Sequence, residues 1–351
     1  MPAGRGRVVR ELLCALAARP DDGRRYVLYA REPWAAELDE RFQWHLIDAR
    51  DPFWHVRAAR AASRECDVFL STNSYLTTAF LRIPAVPIVY DLTTFEPTMH
   101  PNRRSRLIER LTLGLAVRRS AALLSISQAT AEALVGRYPG AASRTVVGHL
   151  GVAPALSPTL EADEAAKLPP PGFVLAVGTL EPRKNLPRLV AAYAALDPAL
   201  QAAHPLVVVG ALGWDTTGTL QALHSLGARC TRLGYVSDAS LAECYRRCAV
   251  FCYPSLGEGF GLPVLEAMAA GATVLTSNVS SLPEVGGEAV AYADPLQVAD
   301  IAAQLQALLG DEARRVDLSS RARARAQEFS WARFAQVTLD TLEDAARTGN
   351  T

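Results

Sequence analysis

Two short loops hold the residues best suited to chemistry. The stretch PSLGEGFGLPVLEAMAAG (residues 254–271) sets Glu258 between Gly257 and Gly259, follows with Gly261, and places Glu266 eight residues after Glu258. Glycines let backbone N–H groups converge, and a helix opening with Pro263 in its first turn adds a partial positive charge there. That combination suits a diphosphate. Glu258 in the loop and Glu266 about one turn inside the helix could face a single ligand, and carboxylates bond well to neighbouring hydroxyls of a ribose or hexose. The plain alternative is a glycine-rich turn with two surface acids, and the ordered set argues against it. So placed, Glu258 is expected to contribute little to packing.

The second loop is VGTLEPRKN (residues 177–185), where Arg183 and Lys184 could bring two cations to the same diphosphate. Such charge-assisted bonds are worth roughly 1.5–3 kcal/mol each. Lys184 stands out because the chain has 34 arginines and only two lysines. A lysine retained against that bias suggests a place where arginine would not serve, on what is expected to be an exposed loop. Cys244, Cys248 and Cys252 are evenly spaced, but the first two fall in a helical pattern and the third in an apolar strand. With no CxxC and no histidine pair beside them they read as isolated thiols, not a metal site.

Parallel strands and crossover helices would position these loops. Residues 1–160 alternate helix VVRELLCALAAR, strands RYVLYA, DVFLST and VPIVYD, helix RSRLIERLTLGLAVRRS, strand ALLSIS and a helix capped by Ser127. A charged, then proline-rich linker spans 155–171, and the alternation restarts at FVLAVG and continues through PLVVVG, VFCYPS and ATVLTS. The expectation is α/β: two Rossmann-like doubly wound domains facing a cleft, over 1–160 and 161–328, with ligand at strand C-terminal ends. A last helix, 329–351, ends the second domain or, as the family resemblance given below implies, crosses back to the first. The chain opens with MPAGRGRVVRELL, a glycine loop running straight into a helix. Either the sheet starts with the next strand, or a first strand is missing.

At 351 residues, half of them apolar, the chain is large enough for two cores. The formal charge is zero but unevenly placed: 21 arginines against 15 acids in residues 1–160, and 13 arginines and two lysines against 21 acids beyond. The arginines are scattered, which argues against nucleic acid as a partner. No apolar run approaches the length of a membrane span. The expected location is the cytoplasm, with contact at a membrane surface as the one exception. Arg103, Arg104, Arg106, Arg110, Arg118 and Arg119 flank LTLGLAV on one expected helix. It reads equally as a membrane-surface segment and as a buried helix with charged ends.

VGTLEPRKN and GYVSDASLAECYRRCAVFCYPSLGEGFGLPVLEAMAAGATVLTSNVSSLPEVGG together resemble the donor half of family 4 glycosyltransferases, retaining enzymes of the GT-B fold. The likeness is close over about 170–290, and Glu258 and Glu266 match both acids of that family's E-x7-E motif. The first half is similar more loosely, through GRGRVVRELLCALA, YDLTTFEP and SISQAT. The resemblance implies that Glu258 contacts the transferred sugar and Glu266 the ribose. It implies that Arg183 and Lys184 neutralise the leaving diphosphate beside Gly178 and the backbone of Gly259, Phe260, Gly261 and Leu262. Tyr235 and Val236, after Leu233 and Gly234, would lie by the base. Gly4, Gly6, Asp91 and His100 would serve the acceptor side, Asp91 sharing a catalytic role. Many relatives carry His before that Asp, where this chain has Tyr90, and Arg in the region of Thr179 and Leu180.

The resemblance also implies a nucleotide–sugar as co-substrate with no cofactor and no metal, since cations and a helix start replace a metal and no D-x-D occurs. GTLEPRKN is similar to a subgroup of mannosyltransferases in surface-polysaccharide (lipopolysaccharide) assembly. GDP-mannose is therefore the first choice of donor, ahead of a UDP-sugar, with a glycan or polyprenyl-linked acceptor. Two rivals share the fold: a sugar-nucleotide epimerase, and a non-catalytic scaffold that binds nucleotide–sugar. No G-x-G-x-x-G opens a βαβ unit, which weighs against a dehydrogenase.

Overall fold

The computed structural model describes the chain apart from residues 1–3, 35–37, 97–102, 153–159, 161, 215 and 350–351. His100 therefore lies outside the described residues. The chain divides into two compact units, the first from Met1–Phe95, Asn102–Gly151 and Ser330–Thr351, the second built on Val152–Phe329.

In the first unit β1 (Tyr26–Ala30) pairs in parallel with β2 (Phe42–Leu46). Strands β3 (Phe69–Ser71), β4 (Ala85–Val89), β5 (Leu123–Ser125) and β6 (Thr145–Val147) form a separate parallel sheet in chain order. Val89, Leu113, Leu123 and Leu134 are at the heart of its core. The first described element is the helix Arg5–Ala17, capped by Gly4 at φ 67°. Gly4 alone belongs to the expected glycine loop, because Gly6 already lies in the helix. Ser127 caps the helix Gln128–Arg137 by accepting from the Thr130 N–H. The last helix, Trp331–Gly349, packs in this same unit, against Arg5–Ala17 and β4.

The second unit has a six-stranded parallel sheet: β7 (Val174–Val177), β8 (Leu206–Val209), β9 (Cys230–Gly234), β10 (Val250–Tyr253), β11 (Val274–Ser277) and β12 (Ala291–Ala293). Their spatial order is β12-β11-β10-β7-β8-β9. The four residues of β8 and of β10 are all buried, as strands covered on both faces require. The chain lays β8 and β9 on one side of β7, then returns to put β10 on the other. The sheet's direction of growth thus reverses between β7 and β10, leaving a crevice beyond their C-terminal ends. The expected linker is part structured: Ala162–Ala165 is a short helix, and Glu164 accepts from the Ser237 and Ser240 hydroxyls at 2.8 and 3.0 Å.

Candidate active site

The loops after β7 and β10 meet at this switch point. Backbone geometry brings them together first. Gly178 leaves β7 at φ 140°, and a Cβ there would press within 3.2 Å of the Lys184 side chain. A turn over Pro182–Lys184 ends at Asn185, buried in the left-handed region at φ 59°. The Asn185 amide donates to the Pro254 and Pro295 carbonyls at 2.9 and 2.7 Å, tying the first loop to the second. Gly261 caps the helix Leu262–Ala270 at φ 104°, and a Cβ there would lie 2.8 Å from Leu282. Among the described residues no side chain caps the start of that helix with a hydrogen bond.

Glu258 is the hub. Its Oε1 accepts from Lys184 Nζ at 2.7 Å, from the Tyr253 hydroxyl at 2.8 Å and from the Ser255 hydroxyl at 2.6 Å. Its Oε2 accepts from Arg183 Nη1, and the Glu258 N–H donates to Ser280 Oγ at 3.0 Å. Arg183 also bonds Glu181 at 2.7 Å and the Gly257 carbonyl at 3.1 Å. Lys184 lies 4.9 Å from the Tyr253 ring centre and donates to its hydroxyl. Ser281 Oγ fixes the loop by donating to the carbonyls of Glu258 and Phe260. These side chains are enclosed, Glu258 at 8% and Lys184 at 11% exposure. Neither the expectation that Glu258 packs little nor that of an exposed loop for Lys184 survives. Both side chains turn inward because each is the other's counter-ion.

Burial alone would raise the Glu258 carboxyl, but Lys184 and Arg183 outweigh it and hold the pKa at about 2. Burial pulls Lys184 below the usual lysine value, with Glu258 opposing. Burial, reinforced by the Glu258 charge, pushes the Tyr253 hydroxyl well up. Arg183 and Lys184 are balanced in charge by Glu181 and Glu258, so this ion-paired core beside a helix start is neutral as it stands. An anion entering here reaches the two cations by displacing a carboxylate from them.

Glu266 sits on the helix Leu262–Ala270, buried, and accepts from the Tyr245 hydroxyl at 3.3 Å. Tyr235 is exposed on the segment after β9, with Val236 beside it. Phe260 packs edge-on against Phe329 at 5.8 Å. Burial pushes the Cys244 thiol up to about 11 and Cys252 to about 12. Among the described residues no group of three or more His, Cys, Asp and Glu gathers for a metal.

The model for glycosyl transferases group 1 matches residues 161–325. The O-antigen chain mannosyltransferase B of Escherichia coli is 32% identical over 338 residues, 92% of this chain and 83% of the relative. This chain belongs to the group 1 glycosyltransferases. A serotype-specific mannosyltransferase of Escherichia coli, WbdA, is 38% identical over 175 residues, 49% of this chain and 22% of the relative. A sucrose-phosphate synthase of Thermosynechococcus elongatus superposes with a TM-score of 0.78 at 22% identity, covering 99% of this chain and 94% of the other. That likeness shows the fold, GT-B.

In the first unit of this glycosyltransferase, Asp91 follows β4 and accepts from the Thr93 N–H at 3.0 Å. Arg5 lies over the Tyr90 ring at 5.3 Å and bonds Glu109 at 2.7 Å. The buried hydroxyls of Tyr75 and Tyr90 have no hydrogen-bond partner among the described residues. Sequence reasoning missed several residues that shape the loops after β7 and β10: Glu181, Asn185, Tyr253, Ser255, Ser280 and Ser281. Tyr253 and Ser255 were within reach, because polar residues at the end of a buried strand in this glycosyltransferase must face the switch point. Ser280 gave no local signal, since it reaches Glu258 from 22 positions away.

Proposed function

We propose that the chain transfers mannose, with retention, from GDP-mannose to a growing surface glycan or its polyprenyl-linked form. The observation that carries this is the identity with an O-antigen chain mannosyltransferase over nearly the whole chain, with Arg183, Lys184, Glu258 and Glu266 in the loops just described. The diphosphate replaces Glu258 on Arg183 and Lys184, with the N–H groups of Gly259, Phe260, Gly261 and Leu262 around it and Gly178 beneath. Released, Glu258 turns to the sugar hydroxyls. Glu266 holds the ribose, and Tyr235 and Val236 flank the base. Asp91, Gly4 and Gly6 face the acceptor.

As the glycosidic bond breaks, negative charge grows on the diphosphate. Cations and a helix start already aimed at that position stabilise it without having to reorganise. No metal or other cofactor is then needed. The test is a panel of nucleotide–sugars scored for thermal stabilisation and for transfer to a mannan primer, each with and without EDTA. GDP-mannose should give the largest shift, since ligand at a hundred times its Kd adds about 2.7 kcal/mol. A larger shift with a UDP-sugar overturns the donor. Activity lost in EDTA and restored by magnesium overturns metal independence.

A further inference from the structure

The helix Arg103–Arg119 of the first unit is apolar on two sides. Leu113, Ala116 and Val117 are buried in the unit's core with Val89 and Leu123. The outward side is apolar as well: Leu107 is 57% exposed, Ile108 59%, Leu111 65% and Leu115 37%. At about 100° per residue these four fall within a sector of about 100°. Arg104 and Arg118 fall inside that sector, and Arg103 and Arg119 border it. The helix has one acid, Glu109, which lies outside the sector and is bonded to Arg5. Arg110 is turned away from it and donates to the Thr94 and Phe95 carbonyls at 2.9 Å. The result is an exposed row of large aliphatic side chains with arginines of the same side at both ends and no carboxylate among them.

Scattered single hydrophobics on a surface need no explanation, but four in one row do. The charge pattern identifies the partner. Arginines at the ends of an apolar stripe match lipid phosphates above acyl chains, the arrangement of a helix lying in the plane of an interface. We propose that this face docks on an anionic lipid bilayer, with Leu107, Ile108, Leu111 and Leu115 below the headgroups and Arg103, Arg104, Arg118 and Arg119 on their phosphates. The inference rests on exposure and charge alone and holds whichever sugar is transferred. Among the described residues no helix is long and apolar enough to cross a membrane, so the contact is with one surface.

Flotation of the full chain with vesicles tests it, using phosphatidylcholine alone and phosphatidylcholine mixed with phosphatidylglycerol. Binding to the mixed vesicles at low salt, and not to the neutral ones, is expected. Arg118→Gln and Arg119→Gln should each weaken partitioning about fivefold. Leu111→Ser should weaken it about tenfold, and Leu107→Ser gives a second reading of the same face. All four side chains are exposed, so the variants should melt with the wild type, and any that does not is set aside for the others. Absence from the mixed vesicles overturns the proposal, as does equal binding to neutral ones or undiminished binding by both leucine variants. Sedimentation showing a self-associated chain that Leu111→Ser renders monomeric also overturns it, by making the occupant a second copy.

Discussion

Two strand ends, one in each unit, hold buried tyrosines beside charged groups, and they differ in how those groups are partnered. Beyond β10, the Tyr253 hydroxyl bonds Glu258 and Lys184, and Glu258 in turn holds Arg183 and Ser255. Beyond β4, Tyr90 lies under Arg5, yet its hydroxyl has no partner among the described residues, nor has that of Tyr75. The first arrangement is a closed electrostatic network in which removing one member strands the rest. In the second, Arg5 is bonded to Glu109, but neither tyrosine hydroxyl joins that pair. A network concentrates effect in a few residues, and loose neighbours disperse it.

Glu258→Gln should show the largest effect. Transfer should fall about a thousandfold, as when a preorganised group at the reacting centre is lost. The variant should also be less stable by about 3 kcal/mol, because breaking a buried ion pair strands the opposite charge, here on Lys184, while Arg183 keeps Glu181. A nucleoside diphosphate would supply the missing anion, so GDP should raise the variant's melting temperature more than the wild type's. Transfer at the wild-type rate would remove Glu258 from the reaction, and an equal GDP shift would remove the exchange of carboxylate for phosphate.

Lys184→Arg comes next, with turnover about a hundredfold down. An ammonium is a compact point charge, whereas a guanidinium is a planar fork needing more room. Lys184 is enclosed by Tyr253 and Glu258 with Arg183 alongside, so there is little room to give. The loss should fall mainly on kcat, since the charge to be neutralised grows as the sugar leaves. Wild-type turnover in this variant would make the lysine an accident of composition.

Acid should reveal the same network more gently. Glu258 is held at about 2 in the folded chain, while an unfolded glutamate titrates near ~4.3. The unfolded state therefore binds the proton first as pH falls. The stability Glu258 contributes is complete above the unfolded value and is lost between there and about 2. Melting temperatures of the wild type and Glu258→Gln, compared from neutral pH downward, should converge across that window. A gap that stays constant would mean that the carboxylate's charge contributes nothing.

How much of this was legible in the sequence follows the same division. In the second unit β7, β8 and β10 are continuous apolar runs bounded by glycine or proline, and the loops after β7 and β10 carry dense, ordered motifs. The residue types there could be read because each is demanded locally, as Gly261 is by its φ of 104° at the helix cap. What could not be read was the direction of the side chains. Glu258 between glycines looks exposed until β7 and β10 are known to be neighbours, for only then do Lys184 and Arg183 reach it. In the first unit β2, β6 and the helix Phe53–Glu65 went unread. A three-residue strand such as β6 is too short for a period, and FQWHL mixes polar and apolar residues on a strand paired in only a two-stranded sheet. The helix Arg103–Arg119 was legible as a helix but not as two-faced, because apolar residues on both sides leave no clear amphipathic stripe.

The smallest effects should come from one substitution made in both units. Tyr253→Phe removes a hydroxyl that donates to Glu258 and accepts from Lys184, leaving both charges buried and short of a bond; about 1–3 kcal/mol of stability should go. Transfer should fall with it, since Lys184 loses one of the contacts that fix its position. Tyr90→Phe removes a hydroxyl that is buried without a partner, so there is no bond to lose and an unfavourable desolvation to relieve. Stability should stay within about 0.5 kcal/mol of the wild type or rise slightly. The ring, and with it the contact to Arg5, is kept. Chemical denaturation of the two variants side by side measures the difference directly. Equal losses would mean that the Tyr90 hydroxyl has a partner in solution, and the contrast between a closed network and loose neighbours would no longer separate the units.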